Sequence, residues 1–186
     1  MDSKRDHDTN LALVQKARDN TVVAALMLVG LATLMSAVEA YGYMLGIIPG
    51  RWVQLYVLPL MTPALMIALW FYNSRLERRT GINVVQGHLA LLIALSLVAA
   101  LPSISGGHSF NLFHGVLLLL LATKIADQRL VVAGVIATVA WIAVFYRIVY
   151  TGESLFLGIT AALILGCIFA PKHPRNSPLA RAEKEP

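Results

Sequence analysis

The chain is 186 residues long, 58% hydrophobic and only 13% charged, with 15 Lys and Arg against 10 Asp and Glu. These values exclude an ordinary soluble domain, and apolar runs of about 20 residues each leave no room for a folded domain outside a membrane. The single cysteine, Cys167, excludes a disulfide and any cysteine-based zinc or iron–sulfur centre.

In chain order, residues 1–20 read as a polar N-terminal tail. Its Leu11, Leu13, Val14 and Ala17 fit either a short interfacial helix or a disordered lead-in. Six apolar runs follow, at 21–43, 52–72, 82–101, 109–123, 130–150 and 154–170. The first is too long for a cleaved signal segment and is expected to stay as an anchor. It carries Tyr41 and Tyr43 toward one interface and ends at Pro49-Gly50. The second contains Pro59 and Pro63, which free backbone carbonyls and kink a helix, and it closes on Trp70, Phe71 and Tyr72. The third and fourth are the shortest, so residues 82–123 fit two crossings or one re-entrant hairpin; length favours two. The fifth and sixth are joined by Thr151-Gly152-Glu153 and should pack as an antiparallel hairpin. Residues 172–186 form a charged C-terminal tail.

The basic residues orient these runs. All but Arg51 and Arg147 of the 15 fall in the two tails and the second and fourth connections, which the positive-inside rule places in the cytoplasm. The expected fold is an all-α integral membrane protein, a six-helix transmembrane bundle spanning 21–171 with both termini cytoplasmic. The positive charge is then an inner face beside anionic lipid, and no nucleic acid is expected.

Small residues recur at four-residue spacing in two runs: Ala32, Ser36 and Ala40 in the first, Gly158, Ala162 and Gly166 in the sixth. Such ladders let helix backbones approach closely, within the chain or against a second membrane protein or copy.

Ionisable groups inside an apolar run are costly and mark candidate function. Glu39, His114 and Arg147 are three, and the topology puts all of them in the outer third of the membrane, forming a candidate ligand-binding pocket. The bland readings are a structural Glu39–Arg147 pair or separate interfacial anchors.

Enzyme motifs do not fit. Ser103-Ile-Ser-Gly-Gly-His108 has the Ser-Gly-His of membrane lipid phosphatases without their other basic elements. His88 and His114 fall at opposite depths, which excludes a haem pair, and no nucleotide loop is present. No metal and no cofactor is expected. The leading expectation is a small-solute binding or transport protein, or a transporter's membrane subunit, in a bacterial-type cytoplasmic membrane. A non-catalytic interaction protein (exclusion, immunity or assembly factor) and an enzyme on a lipid-linked substrate are the rivals.

Topology is testable directly. Reporter fusions after Lys16, Arg79, Gln128 and Lys172 should read cytoplasmic, and those after Pro49, Gly107 and Gly152 external. An internal reading at Gly107 would replace the two middle crossings with a re-entrant hairpin.

Overall fold

A computed structural model describes residues 2–48, 56–80, 109–149 and 152–171, together with Ala90, Ile93, Ala94 and Leu97. Among these residues every regular element is helical and no strand occurs. The elements are α1 (Asp2–Met44), α2 (Leu58–Thr80), α3 (Ser109–Ile125), α4 (Gln128–Phe145) and α5 (Glu153–Gly166), the last running into a 3-10 turn, Cys167–Phe169. Most of the predicted third run, and with it the choice between two crossings and a hairpin, lies outside the described residues, as does the C-terminal tail.

α1 passes from the polar tail into the first apolar run as one helix of 43 residues. Gly46 closes it, at φ 69°, where its N–H donates to the Tyr43 carbonyl and that of Ile47 to the Gly42 carbonyl. This is a Schellman ending, and glycine takes the left-handed position without a Cβ clash. Pro63 sits inside α2; lacking an N–H, it leaves the carbonyl one turn earlier without its helical donor.

Asp127 starts α4, its side chain accepting from the Arg129 N–H at 2.9 Å. The preceding Ala126 makes the sharp reversal from α3 at φ 52°. α4 stops earlier than the apolar run. Arg147 takes the left-handed position at φ 54°, donating to the Val144 carbonyl while Ile148 donates to that of Ala143. It therefore stands in the closing turn, two residues past the end of α4, although the apolar run that contains it continues to 150.

α5 packs most extensively along α1, and α3 along α4. Leu165 lies over Gly30, where any Cβ would be 2.5 Å from its side chain. Between α3 and α4 the contact is closer still. A Cβ on Gly115 would meet the Thr138 backbone, and one on Gly134 would meet Leu119 and its backbone nitrogen. α4 and α5 also touch, yet the hairpin expected of them is the lesser of α5's contacts.

The end of the bundle where α1 and α4 finish and α3 and α5 begin is called upper here. Below its middle lies the main apolar cluster. It includes Val22, Leu26 and Val29 of α1, Met66 of α2, Leu117, Leu118 and Leu121 of α3, Leu130 and Ala133 of α4, and Ile164 with Cys167. A smaller cluster, Ala37, Val144 and Leu157 with Phe156 against it, joins α1, α4 and α5 near the top.

Among the described residues two helices are long and apolar enough to cross a membrane, Arg18–Met44 with 27 residues and Gln128–Phe145 with 18. Leu60–Tyr72, His114–Thr123 and Glu153–Gly166 are shorter apolar helices.

The glycines separate by what surrounds them. Gly115→Ala and Gly134→Ala should each destabilise the protein by about 1–3 kcal/mol, since a methyl must push two backbones apart. Gly158 has open space at its Cβ position, so Gly158→Ala should be neutral or stabilise by up to about 1 kcal/mol. Unfolding midpoints in detergent measure all three.

Candidate functional site

Above the main apolar cluster, every described helix contributes a polar group. Thr33, Ser36 and Glu39 of α1, Thr62 of α2, His114 of α3 and Thr160 of α5 are buried, and Thr138 of α4 is half-buried. Four of the hydroxyls are held by their own helices. Thr33 donates to the Val29 carbonyl at 2.8 Å, Ser36 to Ala32 at 3.1 Å, Thr138 to Gly134 at 2.8 Å and Thr160 to Phe156 at 2.8 Å. Each hydroxyl proton is thereby committed, and the oxygen keeps lone pairs with which to accept from something else.

Thr62 does something different. Its Oγ1 lies 3.1 Å from Nε2 of His114, a hydrogen bond between buried side chains on α2 and α3. Thr62 directly precedes Pro63, so this contact pins α2 at the point where its own ladder is interrupted. His114 is held from the other side by its neighbour Gly115, which lets α3 sit against Thr138.

Glu39 is only 2% exposed on the buried side of α1, just above the Ala37–Val144–Leu157 contact. Arg147 lies just beyond the same contact on α4 and is exposed. His114 is lower. Its neighbour Gly115 meets Thr138, about 9 Å below Val144 along α4 at 1.5 Å per residue. Gly158, Ala162 and Gly166 follow the other side of α5. That helix turns Leu157, Thr160, Ala161 and Ile164 into the bundle, while Ala162 and Gly166 are exposed. The first ladder faces inward, with Ala32 and Ser36 fully buried.

The lower end holds a separate charged group. Arg129 is 6% exposed and pairs with Asp127 at 2.7 Å and with Asp19 of α1 at 3.7 Å. Burial alone would raise the Asp127 carboxyl, but hydrogen bonds from the Arg129 side chain and backbone, and the charges of Arg129 and Arg18, hold it below its ordinary range. This network ties the α3–α4 turn to α1.

Thr62 and Thr138 escaped the sequence reading because hydroxyls carry no charge and insertion penalties do not flag them. The available signal was position: Thr62 adjoins a proline inside an apolar run. Among the described residues no three His, Cys, Asp or Glu side chains gather as a metal site would require. No family model matches the chain, and no curated protein or solved structure is similar to it.

Arg147 offers a separation of fold from function. A side chain at φ 54° carries a left-handed penalty of about 1–2 kcal/mol that glycine escapes. Arg147→Gly should therefore leave stability unchanged or raise it by about 1 kcal/mol, and Arg147→Ala should not. Denaturant unfolding in detergent reads the difference. A Gly variant that is markedly less stable would show that the guanidinium holds the cap.

Proposed function

We propose that the chain is a multi-pass protein of a cytoplasmic membrane that binds a small polar solute between its helices, alone or as a transporter's membrane subunit. Its upper end is external and its termini are cytoplasmic. The observation that carries this reading is the polar layer. Buried hydroxyls, one carboxylate and one imidazole come from α1, α2, α3 and α5 to the upper half, with the half-buried Thr138 from α4, while the described buried polar groups of the lower half are Thr21 and the ion-paired Arg129. A structural bundle in lipid has no need of such a layer, since each polar group costs free energy to bury.

Dimensions support the membrane setting. Tyr41 and Tyr43 at the top of α1 are exposed, as are Phe145 and Tyr146 at the top of α4 and Phe71 and Tyr72 at the bottom of α2. Asn20 hydrogen-bonds Tyr72 at the lower end, and Asn20 to Tyr41 is about 31 Å along α1 at 1.5 Å per residue. That equals the hydrocarbon thickness of about 30 Å, with aromatic belts at both edges.

The test is a thermal-shift screen of the nanodisc-reconstituted chain against small polar solutes. A bound solute at a hundred times its Kd adds about 2.7 kcal/mol of stability. At least one compound should raise the Tm of the wild type, and Thr62→Val and His114→Gln should each abolish that shift. A panel with no hit, or a hit untouched by Thr62→Val, His114→Gln and Glu39→Gln alike, overturns the reading.

A further inference from the structure

The lower ends of α1 and α2 carry a feature that the polar layer does not use. Asn20 Nδ2 donates to the Tyr72 hydroxyl oxygen at 3.1 Å, bridging the two helices. The bond marks a boundary. The apolar stretch of α1 begins at Arg18, and that of α2 ends at Tyr72. One turn below Asn20 on the same side of α1 is Lys16, and one turn below Tyr72 on the same side of α2 is Arg75. All four residues are exposed. Lys16 and Arg75 thus stand one turn beneath the bridge on the two helices that it joins, and like charges brought together there repel without an anion between them. Because Tyr72 accepts from Asn20, its own O–H proton remains available to donate.

Among the described acids, Asp19 and Asp127 both pair with Arg129. The chemistry assembled here is therefore an ammonium, a guanidinium and a phenol O–H at the level where an apolar stretch gives way to a polar one. We infer that Lys16, Asn20, Tyr72 and Arg75 form a binding site for the phosphate of one anionic phospholipid in the cytoplasmic leaflet. Lys16 and Arg75 grip the phosphate from two sides, and Tyr72 donates from above. The acyl chains run up along the apolar stretches of α1 and α2, past the exposed Phe71. Depth is what selects a lipid over free phosphate. A headgroup delivers its charge at the membrane boundary and keeps its tails on the apolar side of it, whereas free phosphate must leave bulk water to reach the same place.

The inference rests on the membrane setting proposed above but not on any solute. Carbonate-washed membranes test that setting first, and Lys16→Gln/Arg75→Gln should remain in them as the wild type does. The full chain in mild detergent is then titrated with phosphatidylglycerol and read by native mass spectrometry for the first bound lipid. Each cation near such a surface contributes roughly a factor of five, so the double variant should bind about tenfold or more weakly. Tyr72→Phe should weaken binding less, and its Tm in phosphatidylcholine nanodiscs reports whether the bridge alone was lost. Arg181→Gln/Lys184→Gln removes the same charge from the C-terminal tail and should leave the first binding event unchanged. An equal loss in the tail variant would mean diffuse attraction and overturns the site. So would undiminished binding by the Lys16/Arg75 variant, or inorganic phosphate that competes with the lipid at equal concentration.

Discussion

The contact of α3 with α4 sets the height of every polar group above the apolar cluster. Two glycines, Gly115 and Gly134, remove side chains where the helices cross, and each faces the partner's backbone. Contacts of that kind leave no slack for sliding, because a shift of one residue would drive a Cβ into a main chain. His114 adjoins Gly115 and so inherits a fixed height. Thr62 meets His114 there, which in turn sets where the Pro63 break in α2 falls. α1 and α5 meet where the Leu165 side chain lies over Gly30, and the Val144–Leu157 contact couples the two helix pairs.

The hydroxyls show how an apolar bundle tolerates polarity. Free in hydrocarbon, a hydroxyl loses the bonds it made to water. Bonded back to the carbonyl four residues earlier, it retains one bond without needing a neighbour. Thr33, Ser36, Thr138 and Thr160 all adopt that solution, so the fold does not depend on them for helix-to-helix bonds. Glu39 and His114 have no such local remedy. A carboxylate and an imidazole must be met by other groups, which makes them the members of the layer that depend most on their surroundings.

The all-helical class was legible in the sequence, and so were several of the described helix ends, because apolar runs and breakers are local signals. Pro49-Gly50 and Thr151-Gly152 mark the ends of runs whose helices the structure describes, and the α3–α4 turn falls near Lys124 as the basic residues suggest. Glu39 and His114 stood out because a charge or imidazole in an apolar run is rare, and the structure buries both. What could not be read is pairwise. Nothing in the spacing of Gly115 or Gly134 says that each meets another backbone, whereas the regular Gly158, Ala162 and Gly166 ladder looks like a packing face and lies beside the face α5 buries. Arg147 lies inside the apolar run but in the turn after α4, for a related reason. A Schellman ending is ordinarily announced by glycine, as at Gly46, and here the left-handed position holds an arginine.

The two ends of the bundle differ in what holds them shut. At the lower end the apolar cluster draws on all five helices among the described residues, and below it Arg129 joins α1 to the α3–α4 turn through Asp19 and Asp127. Separating the helices there exposes many large side chains and strands a buried cation, each a substantial cost. At the upper end the described apolar contact consists of Ala37, Val144 and Leu157 with Phe156, and it includes no residue of α2 or α3. Opening between α2 and the other helices on that side exposes far less apolar surface and leaves the close α3–α4 contact at Gly115 in place, and local openings occur where they expose least. The Pro63 break gives α2 a place to bend, and the Thr62–His114 bond lies beside it. Opening of the upper end is therefore cheapest by bending α2 at Pro63 and parting the Thr62–His114 bond, and that is the route the proposed solute would take.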